Sequence, residues 1–387
     1  MGKDGYWARR RGRLFTAPAG AGEAAAGAGS GDPPDLLLVT HAANVFYLTG
    51  FRGSAGMLLA GAGEATLIVD SRYVTAARRV IDDAPTPAAP VVLAEVETSY
   101  EETLCELLRA RGRCRVGVEA DHMTLARHAW LEQALAGSGV ELCQTSGLVE
   151  AGRLVKDAEE VEILREGGAR ISGVMAEMLS DLRPGRRERD VAADIDWAIR
   201  RAGFEGPAFE TIVASGPNSA LPHARPGDRE LARGDLVLLD FGGVHDGYCV
   251  DLTRVASLGP ATPAAASWHD AVRAAHAAAL AALRPGVRAV EVDGAARTVL
   301  TDRGLGEAFG HGTGHGLGVE VHEAPRIGKP RAADGSEETR LAAGMVVTVE
   351  PGVYVPGEGG VRLEDDVVVT ETGCELLTDV PLELVVV

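Results

Sequence analysis

Four carboxylates and one imidazole, split between two stretches of the chain's second half, are the residues most able to do chemistry. Asp240 and Asp251 flank the segment DFGGVHDGYCVD, His315 sits in HGTGHGLGVEVHE, Glu350 in VTVEPGVY and Glu364 in GVRLEDD. Five such ligands are too many for one structural ion and suit two hard or borderline cations that share ligands. A pair of ions about 3.5–4 Å apart can bridge and ionise one water, an engine for peptide hydrolysis. A lone acid at a strand end is ordinarily just solvated. Four acids at mirrored places inside apolar strands need another account, because buried charge requires a partner or a metal.

The imidazoles divide by context. His311 and His322 flank His315, and one ligand plus two residues that orient it or face substrate is more economical than three ligands in a carboxylate-rich site. The glycines around His315 let backbone approach closely. His223 lies in SGPNSALPHARPGD, a loop upstream of Asp240, and is a candidate for the pocket wall. His41, His122, His128, His269 and His276 read as surface or core residues without acid partners, and His245 as a turn residue. The chain has no GxSxG elbow, HExxH pair, P-loop or Rossmann glycine fingerprint.

These residues need elements to hold them. LVLLDFGG reads as a strand ending at Asp240 and YCVDLTRV as its antiparallel partner, joined by a turn at HDG. MVVTVEPGVY and VRLEDDVVVT repeat the arrangement. The repeat extends further. LRPG occurs at Leu182–Gly185 and Leu283–Gly286, and in each copy a helical stretch stops at a Gly, Gly203 or Gly304, 21 residues after the Leu. Gly234 and Gly344 each precede an acid, Asp240 or Glu350, by six residues. The second half therefore reads as a duplicated α+β unit, since helix spacing and acid placement agree independently.

Upstream, DLLLVT, MLLA, ATLIVD, VVLAEV and RVGVE read as strands. Helices are expected after Ser99, where Ser99 and Glu102 form a capping-box pattern, and over TLARHAWLEQAL. Asp157 and Glu160 mark the start of a long helix. The expected organisation is a flexible segment over 1–34, an α/β domain over 35–152 and a catalytic α+β domain over 153–387.

Composition narrows the function. With Lys+Arg 38 against Asp+Glu 56, the net charge of −18 over 387 residues argues against nucleic-acid binding, which needs clustered cations. An acidic site would also draw in cations. Five scattered cysteines without CxxC spacing read as reduced thiols in a cytoplasm. No apolar run approaches transmembrane length, so no membrane partner is expected. Arg9, Arg10 and Arg11 precede a Gly-broken stretch carrying Glu23, a poor signal peptide.

From about Asp35 to the end, the chain resembles the metallopeptidase family with the pita-bread fold. This family includes methionine aminopeptidase, Xaa-Pro aminopeptidase (aminopeptidase P), Xaa-Pro dipeptidase (prolidase) and creatinase. The resemblance is carried by ASGPNSALPHARP, DFGGVHDGYCVDLTR, HGTGHGLGVEVHE, TVEPGVY and GVRLEDD. It implies a creatinase-like N-terminal domain before a pita-bread catalytic domain with a pseudo-twofold repeat. It implies metal ligands at Asp240, Asp251, His315, Glu350 and Glu364, with Asp251 and Glu364 shared by two divalent ions. Mn²⁺ is the first expectation because the ligands are oxygen-rich, with Co²⁺, Zn²⁺ or Fe²⁺ as substitutes. His223, His311 and His322 then face substrate, His322 steadies the tetrahedral intermediate, Arg362 matches an arginine of the proline-specific branch, and Tyr354 matches the family's substrate-site tyrosine after the EPG turn. Glu350 is the candidate proton shuttle. The implied activity is hydrolysis of an N-terminal Xaa-Pro bond in peptides with proline second, by a homodimer. NVFYLTGFRGSAGMLLA and DSRYVTAA resemble the N-terminal domain of bacterial Xaa-Pro peptidases; within them GFRGSAG favours the aminopeptidase slightly, the dipeptidase stays as the alternative, and a non-catalytic peptide-binding homologue is a remote third.

Overall fold

A computed structural model of the chain describes residues 6–15, 33–83, 90–330 and 339–387. It divides into two compact units, Met1–Arg153 and Leu154–Val387. The first carries strands β1 (Leu36–Val39), β2 (Met57–Gly61), β3 (Ala65–Val69), β4 (Val91–Glu95), β5 (Cys114–Glu119) and β6 (Val140–Thr145). They form one mixed sheet in the order β4-β3-β2-β1-β5-β6, in which β1, β5 and β6 run parallel. Central β1 is buried along its whole length. Its residues alternate between faces, and Leu36 and Leu38 join Met57, Leu59 and Ile68 in a core closed by Leu104, Leu108 and Leu131. β6 was not legible because VELCQT carries polar residues through an edge strand that is only partly buried.

Six helices, α1 (Tyr6–Arg13), α2 (Ala42–Thr49), α3 (Val74–Asp83), α4 (Tyr100–Arg111), α5 (Leu125–Ala134) and α6 (Leu148–Arg153), accompany this sheet. Ser99 caps α4 by accepting from the Glu102 amide, while the Glu102 carboxylate takes the Thr98 hydroxyl. The expectation of a flexible start over 1–34 needs correction at α1. Arg10 and Arg11 are buried and donate to the carbonyls of Tyr47 and Leu48 at 3.2 and 2.7 Å. Those carbonyls end α2 and have no partner within it, so two guanidinium groups fix α1 there. Residues 1–5 and 16–32 lie outside the described residues.

The second unit opens with α7 (Ala158–Asp181), whose capping box is complete: Asp157 accepts from the Glu159 and Glu160 amides and Glu160 accepts from the Asp157 amide. α8 (Glu188–Arg201), α9 (Pro263–Ala282) and α10 (Ala289–Asp302) follow. The strands are β7 (Gly206–Pro207), β8 (Ile212–Ser215), β9 (Leu236–His245), β10 (Tyr248–Ser257), β11 (Gly314–Gly316), β12 (Glu323–Ile327), β13 (Val346–Val349), β14 (Gly352–Val355), β15 (Gly359–Arg362), β16 (Asp365–Val369), β17 (Cys374–Leu376) and β18 (Val385–Val386). One sheet runs β18-β10-β9-β7 with β8 also on β9, and the other β12-β11-β13-β16-β17. An antiparallel bridge between Thr253 and Glu364 joins them. Val272, Ala275 and Ala279 of α9 and Val292, Ala296 and Leu300 of α10 pack with Leu238, Val255, Val347 and Val367 in one core. No described helix is long and apolar enough to cross a membrane.

The two LRPG copies do the same structural job. Each Leu ends a helix, α7 or α9. The Gly185 and Gly286 amides then donate to the carbonyls of Leu231 and Leu341 at 2.8 and 2.7 Å. Both glycines sit at φ near +85°, a region closed to most side chains (87° and 82°). The halves differ where the acids sit. β9 and β10 form a continuous hairpin, whereas β13 and β16 are interrupted by a separate hairpin of β14 and β15. Asp240 and Asp251 are therefore within strands, and Glu350 and Glu364 stand just outside strand ends.

Candidate metal centre

Register brings the first two acids together. In the β9–β10 ladder Asp240 pairs with Thr253 and Gly242 with Asp251. Directly paired residues share a face, and side chains two apart on one strand share it too. Asp240, Thr253 and Asp251 consequently point the same way. The two-residue turn Asp246–Gly247 has positive φ at both positions, 46° and 81°. That mirror-image geometry matches the strand twist and sets this register. From the second half, β13 pairs with β16 so that Val349 faces Asp365, which delivers the flanking Glu350 and Glu364 to the same place.

All five expected ligands line one cleft of about 660 Å³, together with His223, His311, His322 and Arg362. Ligand atoms of Asp251, His315 and Glu364 lie within 4.8 Å of one another. Glu350 stands beside them, with Oε1 3.6 Å from His315 Nε2 and Oε2 3.7 Å from His311 Nδ1. Asp240 lies outside that tight group and pairs through Oδ2 with Arg362 Nη2.

The site is loaded with mutually repelling acids. Burial, then the charges of Asp240, Asp366 and Glu350, push Asp251 well above the ordinary carboxylate range. Burial, then Asp251, Glu350 and Asp240, do the same to Glu364. Burial raises Glu350 to about 7, against the pull of Arg362. Burial also opposes the Arg362 charge, but Tyr354, Asp240, Glu364 and Glu350 outweigh it and strengthen the guanidinium's hold on its proton. Oδ1 of Asp240 and Oδ1 of Asp251 are buried with no hydrogen-bond partner.

Burial lowers His311 and His315 to about 4, so both imidazoles are neutral. His315 Nδ1 lies 3.0 Å from the Gly316 carbonyl, which can only accept. The proton is thereby held on Nδ1 and the Nε2 lone pair is left for a ligand. His311 Nδ1 is fixed in the same way by the Gly312 carbonyl at 2.7 Å. Its Nε2 is 2.8 Å from the Tyr354 hydroxyl, which accepts from Arg362 Nη1 at 2.8 Å. Tyr354 thus donates to His311 and completes a chain from Arg362. The Arg362 donors are committed, to Asp240, Tyr354, the Pro222 carbonyl and the Thr253 hydroxyl. His322 tilts against His315 with ring centroids 4.4 Å apart, and burial lowers its pKa as well.

Several contributors escaped sequence reading. The Thr253 hydroxyl donates to Glu364 and the Thr348 hydroxyl accepts from the His315 amide at 3.1 Å. Behind the ligands, Asp366 accepts from the Asp251 amide at 2.9 Å, and Arg254 donates to the Glu364 carbonyl and pairs with Asp365 at 2.7 Å. The visible signal was a Thr, Arg or second acid inside an apolar strand. Four histidines also need correction. His276 lies 3.1 Å from Asp365, His122 3.2 Å from Glu150 and His128 3.5 Å from Glu132. His245 ends β9, buried, 3.3 Å from Glu166.

The profile of metallopeptidase family M24 matches residues 162–371, and that of the creatinase/prolidase N-terminal domain matches residues 33–155. The chain belongs to metallopeptidase family M24. It is 37% identical to the uncharacterized peptidase YqhT of Bacillus subtilis, over 91% of this chain and 96% of that protein. Among solved structures it is similar to an Xaa-Pro dipeptidase from Bacillus anthracis, with TM-score 0.87 and 33% identity, covering 98% of this chain and 100% of the other. It is also similar to an X-Pro aminopeptidase from Thermotoga maritima, with TM-score 0.82 and 33% identity, covering 92% and 98%. The fold is accordingly a creatinase-type N-terminal domain followed by an M24 pita-bread domain. Membership in M24 implies divalent metal, and the residues present fit it. Partnerless buried carboxylate oxygens, raised carboxyl pKa values and an imidazole whose Nδ1 faces a carbonyl are a donor set that fits a divalent cation.

Proposed function

We propose that this chain is an Xaa-Pro exopeptidase, hydrolysing the bond between an N-terminal residue and a following proline. One observation carries the reading: four acids and a His315 with its Nε2 lone pair free line a single cleft beside neutral His311 and His322. Two divalent ions held there, Mn²⁺ first, would ionise a shared water and polarise the scissile carbonyl. Asp251 and Glu364 would be the shared ligands, Asp240 would serve one ion, and His315 and Glu350 the other.

The chain's own groups supply the rest. Glu350, which stands beside His315 and His311 in the cleft, would carry the proton from the attacking water to the leaving nitrogen. His322, neutral and at the cleft wall, would donate N–H to the developing oxyanion. The acid cluster would pair with the substrate's free α-amine, which confines cleavage to the N-terminus. His223 would shape the proline side. Arg362 would hold Asp240 and, through Tyr354, His311.

Two substrate lengths remain in competition. GFRGSAG favours an aminopeptidase acting on longer peptides. Arg326, which lines the cleft, favours a dipeptidase, because the free carboxylate of a dipeptide would need a cation in the cleft wall. The Bacillus anthracis likeness supports the same side. Proline release from Ala-Pro by Mn²⁺-loaded enzyme, set beside cleavage of Ala-Pro-Ala and a longer Xaa-Pro peptide, decides. Cleavage of Ala-Pro alone makes a dipeptidase, and cleavage of the longer peptides an aminopeptidase P. A metal-loaded enzyme that cuts none of them defeats the proline specificity. We also propose a homodimer, to be checked by light scattering.

A further inference from the structure

A second set of metal-ligating side chains lies in the first unit. His41, His122 and Glu150 each offer a ligand atom, and these atoms lie within 4.8 Å of one another. They come from three separate places in the sequence, and the sheet brings them together. β1, β5 and β6 run parallel, so their carboxyl ends lie along one edge of the sheet. His41 follows β1 by two residues, His122 follows β5 by three, and Glu150 lies five residues beyond β6, in α6. The crevice outside the carboxyl ends of parallel strands is where open α/β sheets take ligands.

The side chains are held in place. Glu119, buried at the end of β5, accepts from the Thr40 and His41 amides at 2.6 and 3.0 Å and from Asn44 Nδ2 at 2.7 Å. That fixes the backbone carrying His41. Asn44 Nδ2 also donates to Glu150 at 2.6 Å, and Arg153 holds the Asn44 oxygen at 2.7 Å. Burial works to raise the Glu150 pKa, but the hydrogen bonds from Asn44 and His122 outweigh it and keep the carboxylate ionised. The His41 and His122 rings stack 3.7 Å apart and 3° from parallel, with His122 Nε2 3.2 Å from Glu150, so one ring must turn out of the stack for both in-plane lone pairs to meet one ion. A recess of about 10 Å³, lined by His122, Glu150, Asp121 and Glu119, has room for one water-sized occupant.

We propose that His41, His122 and Glu150 form a second cation site, distinct from the cleft of the M24 domain, that takes a divalent transition metal of the zinc class. Two imidazoles and one carboxylate are a borderline donor set, which suits Zn²⁺ and disfavours the oxygen-seeking Mg²⁺ and Ca²⁺. Three protein ligands leave the remaining position to water. Hydrogen bonds to the ligand-bearing backbone and to Glu150 supply the outer support that metal sites use. A metal here would tie together the segments that follow β1, β5 and β6.

The test is metal content. The full chain and its H122A and E150Q variants are loaded with Zn²⁺, passed into metal-free buffer and analysed by elemental mass spectrometry. Each variant should retain one equivalent of Zn²⁺ fewer than the parent, with peptidase turnover of the Mn²⁺-loaded enzyme unchanged. His122 and Glu150 are both partly exposed, and E150Q keeps the shape of the side chain, so folding is preserved. Equal Zn²⁺ retention in the parent and both variants overturns the site and leaves a stacked imidazole pair beside an ion pair.

Discussion

Asp251 carries the sharpest consequence of any single residue. Its carboxyl is buried among other acids, and one oxygen has no partner. Replacing it with Ala should abolish peptidase activity and bound metal together, measured by turnover and elemental analysis on the same sample. An active D251A protein would sink the ligand assignment. The titrating residues make a second prediction, whose sign depends on opposing groups. Lowered His311 and His315 bind fewer protons folded than unfolded, so the stability they contribute is lost as pH falls below 6.5. Raised Glu350, Asp251, Glu364 and Asp366 do the reverse, and their contribution is lost as pH rises. The histidine contribution is complete only about a unit above 6.5, beyond which only the acids still change. Chelator-treated protein should therefore lose stability as pH rises above about 7.5, by up to the order of 1 kcal/mol per pH unit for each carboxyl still protonated. Divalent metal should restore it most at the higher pH. A metal-free Tm that climbs across that window would contradict the carboxyl shifts.

Among the elements, the β9–β10 hairpin sets the register of Asp240 and Asp251. Its turn needs positive φ, and Gly247 at 81° meets that at no steric cost. A Val there should cost about 1–2 kcal/mol, the penalty for left-handed backbone in a residue with a side chain. Because a slipped register turns every side chain to the other face, activity should fall with Tm. Unchanged turnover in G247V would show that the turn does not hold the acids. Buried support behind β16 matters as much. Arg254 and Asp365 are paired at 2.7 Å with side chains 3% and 1% exposed. Removing one partner of a buried pair strands the other charge, so R254M should cost about 3–5 kcal/mol. Arg254 also grips the Glu364 carbonyl, so metal affinity should fall as well. A loss below about 1 kcal/mol by denaturant titration would mean Asp365 finds another partner, His276 being the neighbour at 3.1 Å.

For the whole molecule, the duplicated half is the organising fact. Each half ends one helix with the same Leu-to-Gly turn and then presents two acids within or beside paired strands. The bridge between Thr253 and Glu364 brings the two pairs of acids together on one cleft. The halves have diverged where chemistry needs asymmetry. Only the second carries the β14–β15 hairpin, and that hairpin supplies Tyr354 and Arg362.

Sequence alone was enough to single out five residues that line one cleft, the matched Leu-to-Gly turns and the fold class. Acids inside apolar strands, and glycines at matched spacing, are signals that local chemistry forces. The capping box at Asp157 and the turn at Asp246–Gly247 were legible for the same reason: each rests on neighbours a few residues apart. Tertiary structure decided what depends on distant partners. Thr253 reaching Glu364, Arg254 reaching Asp365 and Arg362 committing a donor to Asp240 span chain separations that no local pattern encodes. Arg10 and Arg11 fell in a segment read as flexible, and only the carbonyls at the end of α2 show why they are buried. His41 and His122, unremarkable along the chain, stack because parallel strands end side by side. Hydrogen bonding and burial act through space, so a residue's protonation state and partners are set by the fold that surrounds it.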